Sequence, residues 1–537
     1  MSTRFLRLLP AIVLGLATLA ALGGPAHAQN LGGPLKVNGK EIPVSAIKRE
    51  MVYAAGAQVL EGKKLDVIIE EEIARRVAAG EDRAKFEFTQ EEKDALFSAA
   101  LQQIKDQYPT LDPMEVLERN GLSKRLLEGQ VGQTLRFDKV FLPADPRQWP
   151  VTTTDAITES AGADFITKLR EAQDEKDKKA KEAAAAGNGE PVPAPDKKGE
   201  DMFKMIMRKM VMQSLFDKSV VKYASNGLPD GVAMQVNERK IMTDEVYDLV
   251  SGSLNDERIR QTRVWLAKIE ACKQELQAKG IWLGDEEFQK LFAEHKAPYD
   301  QSPFKLEVIA TGFKRFPSMD SYMTFFRVLK SYERMIQYEI NDENLTKHLA
   351  RANKLLGLSR CNVQMILCSA MDMSTGKWRP DGWEYAKNRA LEASKLLAEK
   401  NGDNWDEVLE QFSEFWDPPT PVGQPNVNSN LRNKGRIGIV NRNEMLQRID
   451  ESEFSMFVEG AGIVDYVFFD QPEGIDGPFK GPHGYYITRV ISRTPPTKEF
   501  SLTEPQQRDL VVQDYLSMRV NAWAQDLLEN AKVEGLQ

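Results

Sequence analysis

Two short stretches far apart in the chain carry the same hairpin, and together they constrain the fold most. Residues 35–48, Leu-Lys-Val-Asn-Gly-Lys-Glu-Ile-Pro-Val-Ser-Ala-Ile-Lys, read as a hairpin running into a helix. Asn38-Gly39 is the tight turn, since both residues tolerate positive φ, and Ser45 is placed to cap the helix. The segment Val236–Val246 aligns on Val37–Ile47 without a gap. Val37, Asn38 and Ile42 recur as Val236, Asn237 and Ile241, basic Lys40 meets Arg239, and aliphatic Ile47 meets Val246. The order downstream repeats as well. Residues 52–79 are expected to be helical, with apolar Leu60, Leu65, Ile68, Ile69 and Ile73. Thr89 with Glu92 forms a capping box that opens a helix to about Gln107, and Gly284-Asp285-Glu286-Glu287 opens its counterpart. Asp112-Pro113-Met114 opens another helix ahead of one over 122–140, as Ser318-Met319-Asp320 does ahead of a helix from Tyr322 to Glu339. The expectation is a duplicated helical module, at 35–145 and 202–350.

Between the copies, residues 171–201 are rich in Lys, Glu, Ala, Gly and Pro. Ala183 to Pro195 has almost no large apolar residue and is expected to be a linker, with a charged helix reaching into it as far as Ala186. Met202 to Tyr223 reads as a Met-rich amphipathic helix. It is either an adaptable binding surface or a core helix filled with methionine.

The chain has 537 residues, enough for three or four modules. Residues 1–28 have the order of a secretory signal: basic Arg4 and Arg7, an apolar run Leu8 to Leu22, and a small-residue site Ala26-His27-Ala28. The run is short for a membrane span, so cleavage rather than anchoring is expected. Loss of the two arginines takes the net charge from −9 to −11, which argues against nucleic acid as a partner. Three cysteines, Cys272, Cys361 and Cys368, are too few for a disulfide framework even in an exported chain. Cys361 and Cys368 fall on opposite faces of a strand. No metal-ligand spacing and no cofactor motif is present, so neither metal nor cofactor is expected.

Residues 358–495 carry a different pattern. Val363-Gln364-Met365-Ile366-Leu367 is a short apolar strand, and 383–399 is a helix with Trp383, Ala386, Ala390, Ala393 and Leu397 at helical spacing. Trp405 to Ser413 is a second helix, followed by Glu414-Phe415 and a Pro-rich insertion, 417–430. Gly435-Arg436-Ile437-Gly438 follows, then Met445, Ile449 and Phe454, and an apolar strand is expected at Val467-Phe468-Phe469. The close is Gly477-Pro478-Phe479-Lys480-Gly481-Pro482-His483-Gly484-Tyr485-Tyr486-Ile487-Thr488-Arg489-Val490, two Gly-Pro turn signals feeding a β-branched and aromatic strand. In this order the segment resembles the parvulin-type (PpiC-like) peptidyl-prolyl cis-trans isomerases, or rotamases. That family opens on a strand ending H-I-L, has G-D-L-G in the middle and closes on G-Y/F-H-I-I-x-V.

The resemblance implies an antiparallel sheet with surrounding helices and an apolar slot for proline built from Met445, Ile449 and Phe454. It also implies a polar floor at the positions of Met365, Phe415 and Tyr486. All three depart from the family, which has two histidines and a cysteine or aspartate there. The reaction needs little covalent apparatus. The X–Pro amide interconverts in tens of seconds or more over a barrier of about 20 kcal/mol. Catalysis works by gripping the ring, drying the carbonyl and stabilising the twisted amide. Tyr486 keeps one hydroxyl for this; His483, three residues earlier, is either a displaced polar group or an ordinary turn histidine.

The tail, 503–537, reads as a helix from Thr503 to about Ala531 with a short closing strand at Lys532-Val533-Glu534. Signal, V-N-G-x-x-I hairpin, helical module, parvulin-like unit and closing helix-strand together resemble the SurA-like periplasmic chaperones. The fold class expected is α+β and multidomain. The resemblance implies an exported folding factor in the periplasm or an equivalent compartment, with the C-terminal helix packed back on the N-terminal module. Its partners would be unfolded or extended segments of exported and outer-membrane proteins. Two readings of its activity stay open: a prolyl isomerase relying on Tyr486, or a non-catalytic binder that keeps the fold for grip.

Overall fold

In the computed structural model, residues 31–109, 112–119, 124–185, 197–251, 254, 256–300, 302, 304–372, 377–415, 435–449, 451, 453–459 and 462–536 are described. Residues 1–28, 186–196 and 417–430, where the signal, the centre of the linker and the Pro-rich insertion are expected, lie outside them. The chain is α+β, mostly helical with small antiparallel sheets. Over the described residues two compact units form: one from 58–222 with 234–241, the other from 31–57, 223–233 and 242–536.

In the first unit, α2 (Ala57–Ala78) is followed by α3 (Gln90–Gln107), α4 (Pro113–Arg119) and α5 (Lys124–Phe141). The expected capping box opens α3: the Glu92 amide donates to Thr89 Oγ1 at 3.2 Å and the Thr89 amide to Glu92 Oε2 at 2.8 Å. Ile104, Leu117, Leu127 and Val131 close a core between these helices. Next come α6 (Val151–Ala161), α7 (Ala163–Ala185) and α8 (Lys197–Lys218). Residues 171–185 are helical, in keeping with the charged helix expected as far as Ala186, and 197–201, expected in the linker, are helical as well. On the Met-rich α8, Met207 and Val211 are buried while Phe203 and Ile206 stay exposed. Arg208 holds the buried Asp138 of α5. The helix ends before the expected Tyr223, because β3 (Val221–Lys222) pairs with β4 (Val232–Val236), which pairs in turn with β5 (Arg239–Met242).

In the second unit, β1 (Leu35–Val37) and β2 (Lys40–Ile42) form the expected hairpin, and α1 (Val44–Ala55) follows. Ser45 is not its cap: Pro43 takes that place at φ −70°, which starts the helix two residues earlier. The helix expected over 52–79 is broken at Gly56, whose amide closes α1 on the Val52 carbonyl at 2.7 Å. After β5 come α9 (Thr243–Val250), α10 (Asp256–Ala278), α11 (Asp285–Asp300), α12 (Met319–Met335) and α13 (Asp342–Leu356). Ser318 caps α12, its Oγ accepting from the Ser321 amide at 3.0 Å. One helix thus stands where two were expected from Ser318 to Glu339. At the far end α19 (Pro505–Asn530) packs on α10 and α13, with Val511, Tyr515, Leu516 and Val520 in a core shared with Trp265, Cys272, Phe325 and Tyr332. After it, β12 (Val533–Glu534) pairs antiparallel with β1, Lys36 facing Glu534 and Val37 facing Val533.

Each hairpin is closed in the same way. Asn38, at φ 51°, donates its amide to the Lys532 carbonyl at 2.8 Å and accepts from the Lys532 amide at Oδ1, 2.9 Å. Asn237, at φ 52°, does the same with Val220, at 2.7 and 3.0 Å. The side-chain amides then reach different helices: Asn38 Nδ2 donates to Gln274 of α10 at 3.1 Å, and Asn237 Nδ2 to Glu71 of α2 at 2.7 Å.

A four-stranded sheet has the order β10-β11-β6-β9: β6 (Arg360–Ser369), β9 (Gly438–Val440), β10 (Gly474–Gly481) and β11 (Gly484–Thr494). Around it lie β7 (Met371–Asp372), β8 (Lys377–Trp378), α14 (Gly382–Glu399), α15 (Trp405–Phe412), α16 (Arg442–Ile449), α17 (Glu453–Glu459) and α18 (Ile463–Asp465). Two sequence expectations fail here. Val467-Phe468-Phe469 is not a strand: α18 continues into a wide helical turn, Tyr466–Asp470. Val464, Val467 and Phe468, at i, i+3 and i+4, all turn inward. Gly477-Pro478 is not a terminal turn either: it lies inside β10, where the register to β11 slips between Asp476 and Phe479. The tight turn is Pro482-His483.

Candidate functional site

Strand alternation sorts the side chains of the four-stranded sheet onto two faces. On one, Ile366, Cys368 and Ile487 pack against α14 and α15. On the other, Cys361, Val363, Met365 and Leu367 of β6 and Tyr486 and Val490 of β11 pack under α16 and the 463–470 turn. Cys361 and Cys368 therefore sit on opposite faces, both buried and both free. Burial pushes the Cys368 thiol up to about 12, so it is no nucleophile at neutral pH.

The structure brings Met365, Phe415 and Tyr486 together. Tyr486 faces Leu367 across the strand pair and Met365 faces Thr488, which makes Met365 and Tyr486 diagonal neighbours on one face. The Phe415 ring lies 6.1 Å from that of Tyr486 at 66°. Its position is set by the chain before it. The Glu414 amide donates to the Leu367 carbonyl at 2.7 Å, and Glu414 Oε2 accepts from the Ser369 amide at 2.7 Å. Arg379 holds the same carboxylate at 3.0 Å. On return the Gly435 carbonyl accepts from the Met365 amide at 2.8 Å. Gly435 has φ +102°, and a Cβ there would stand 1.8 Å from the Met365 carbonyl oxygen, so only glycine lets the chain come this close.

Two of the three floor residues are sealed, while Phe415 is half-buried. Met365, Tyr486 and Met445 expose 0% of their surface and Ile449 exposes 1%. Met445 and Ile449 share the Tyr486 cluster, but they fill the space over the sheet rather than line an opening at its surface. Phe454 is not with them. It packs among the helices, 4.9 Å from the Trp265 ring and 5.9 Å from Phe316. His483 sits at the hairpin turn, where its carbonyl accepts from the Ala370 amide at 2.8 Å and from Ser369 Oγ at 3.1 Å.

Polar groups that sequence reasoning passed over stand one step along the same face. Thr488, wholly buried, donates through Oγ1 to Gln471 Oε1 at 2.7 Å. At the rim the Tyr466 hydroxyl donates to the Asp476 carboxylate, and the Tyr466 ring lies 4.9 Å from Phe479. That hydrogen bond raises the Tyr466 phenol, which therefore stays a donor at neutral pH. Thr488 was within reach of the sequence, two residues after Tyr486 on one strand face. Tyr466 and Asp476 were not, since both depend on the helical turn that had read as a strand.

Glu451, 5% exposed, accepts the amides of Ile463 and Val464 at 3.1 and 3.0 Å and so caps α18. Burial, with a contribution from Asp465, pushes its carboxyl up to about 7 against the pull of those amides and of Arg442. Among the described residues no group of His, Cys, Asp and Glu side chains is arranged to hold a metal ion, and no helix is long and apolar enough to cross a membrane.

No protein-family model matches the chain, and no curated protein matches it in sequence.

Proposed function

We propose that the chain is an exported folding factor of the SurA-like kind whose parvulin-like unit binds and scaffolds rather than catalyses. The observation that carries the second half is Tyr486, the one polar member of the floor, at 0% exposure beside Met365. A group that must meet a twisting amide has to reach it, and this one is part of the core. The first half rests on the quoted sequence patterns and on the terminal closure. The resemblance implied a C-terminal helix-strand packed back on the N-terminal module; the pairing of β12 with β1 supports that reading for the strand, while α19 packs on α10 and α13 of the later helical region. The matching turn devices at Asn38 and Asn237 support the reading of the two helical regions as a duplicated module. The partners on this reading are unfolded or extended segments of exported proteins.

Aggregation of a denatured envelope protein, followed by light scattering with and without the chain from Gln29 on, tests the folding-factor reading. Suppression at substoichiometric amounts, on several unrelated clients, is expected. A single stoichiometric partner in pull-downs and no effect on aggregation would make it an assembly component instead.

The Tyr466–Asp476 pair favours a second reading, an isomerase with its polar groups moved to the rim beside Phe479. On that reading Tyr466→Phe lowers X–Pro isomerisation about tenfold or more while Tyr486→Phe leaves it unchanged.

A further inference from the structure

Between α11 and α12 three large apolar side chains stand in solvent: Phe304 at 51% exposure, Val308 at 46% and Phe313 at 56%. They are brought together by an unusual turn. Residues Val308–Phe313 wind with i→i+5 hydrogen bonds, among them the Lys314 amide to the Ile309 carbonyl at 2.9 Å. In an α-helix, positions five apart differ by ~140° around the axis. The wider turn narrows that angle, and the Phe304 and Phe313 rings meet edge to face at 5.7 Å. Leu306, Ala310 and Phe316, on the inner side, are buried in the helical core. The segment thus faces two ways, and its outer apolar stripe is built by the turn.

In sequence, cations adjoin the stripe at both ends: the exposed Lys305 beside Phe304, its Nζ donating to the Asp300 carbonyl at 2.5 Å, and the half-buried Lys314 and Arg315 beside Phe313, with Glu307 the acidic residue on the turn. This is local, for the whole chain is acidic at −9. His295 reports the same field: its ring is held down to about 4, first by burial among aromatic rings and then by Lys330 and Lys314. The exposed apolar area is on the order of 300 Å². A stable protein interface takes about 800 Å² from each partner, whereas a bilayer interface demands no matching shape and rewards rings rimmed by cations.

We propose that Phe304, Val308 and Phe313 form an interfacial anchor that seats this unit on an anionic phospholipid surface, with Lys305, Lys314 and Arg315 over the headgroups. The inference does not rest on the folding-factor reading, and either can fail alone. The test uses the chain from Gln29 on, which contains every described residue and lacks the apolar leader. Its co-flotation is measured with vesicles of phosphatidylcholine alone and with vesicles that also hold phosphatidylglycerol. Binding to the anionic vesicles, weakened by salt, is expected. Phe304→Ser with Phe313→Ser should lower it about tenfold or more. Lys305→Ala and Lys314→Ala should each lower it about fivefold, on anionic vesicles only. Both rings are more than half exposed, so thermal melting should be unchanged; the lysine pair reads out independently should the ring variant not fold. Vesicle binding that survives the ring and lysine changes would overturn the proposal. So would a ring variant that loses capture of unfolded polypeptide but floats like the parent, which would make the stripe a client site.

Discussion

The two hairpins share a turn device and differ in what closes it. At Asn237 the closing strand is near in sequence: Val220 lies 17 residues away. At Asn38 the partner is Lys532, 494 residues away. The first hairpin is further tied by Arg263, nearly wholly buried, whose guanidinium donates to the carbonyls of Leu31, Gly33 and Gly535. Burial alone pulls that guanidinium down from its ordinary value. Closure entropy grows slowly with length, so the equilibrium difference between the two hairpins is modest. The difference in timing is larger: the second hairpin can form as soon as α8 and β3 exist, but the first must wait for the end of the chain.

If Arg263 is the lock of the first hairpin, its loss should be the largest effect. Arg263→Ala leaves three carbonyls without their donor and should cost about 3–5 kcal/mol in denaturant unfolding. Hydrogen exchange at Val37 should speed up while that at Val236 stays protected. Equal loss of protection at both would break the comparison. Next, Asn38→Ala and Asn237→Ala each remove two hydrogen bonds and put a Cβ-bearing residue at positive φ without compensation, at about 2 kcal/mol apiece. The two costs should agree, and glycine should recover roughly half at each site. A pair of values that differ severalfold would show that the turns are alike only in outline.

The smallest effect sharpens the contrast by pH. Glu50 follows the first hairpin, and the residue aligned with it after the second is Leu249. Burial and then Asp320 push the Glu50 carboxyl up to about 8, against Arg49 and a hydrogen bond from Trp265. A carboxyl raised above its unfolded value of 4.5 stabilises the fold while protonated, so its contribution fades as pH rises toward 8. Glu451 acts in the same sense up to about 7. His295, held near 4, acts oppositely below 6.5. Between pH 6.5 and 8 only the carboxyl effects remain, and stability should fall with rising pH by at most ~1.4 kcal/mol per unit for each group. Glu50→Gln should flatten that slope. An unchanged slope would show that Glu50 is ionised in the folded chain.

Where sequence patterns were local and periodic, they carried through: the hairpin at 35–42, the Thr89 capping box, the helices at 383–399 and 405–412, and the closing strand at Val533. Misreadings came where tertiary packing chose between two local options. Val467-Phe468-Phe469 had β-strand composition, yet its contacts with Val464 favoured a helical turn. Val221 left a helical pattern for a place in a sheet. At the candidate site, alternation along β6 and β11 was enough to set Met365 and Tyr486 on one face. It could not show that α16 covers them, or that Phe454 turns away to Trp265, because both depend on the path after the insertion.

The most direct test of the central claim is the rate of cis-trans exchange in a panel of X–Pro peptides, followed by exchange NMR with the chain from Gln29 on. With Tyr486 and Met365 sealed in the core, rates no faster than the uncatalysed tens of seconds are expected, on peptides that still bind. Acceleration that disappears in Tyr486→Phe would contradict it. The buried hydroxyl would then have to reach the amide, and the unit would be an isomerase.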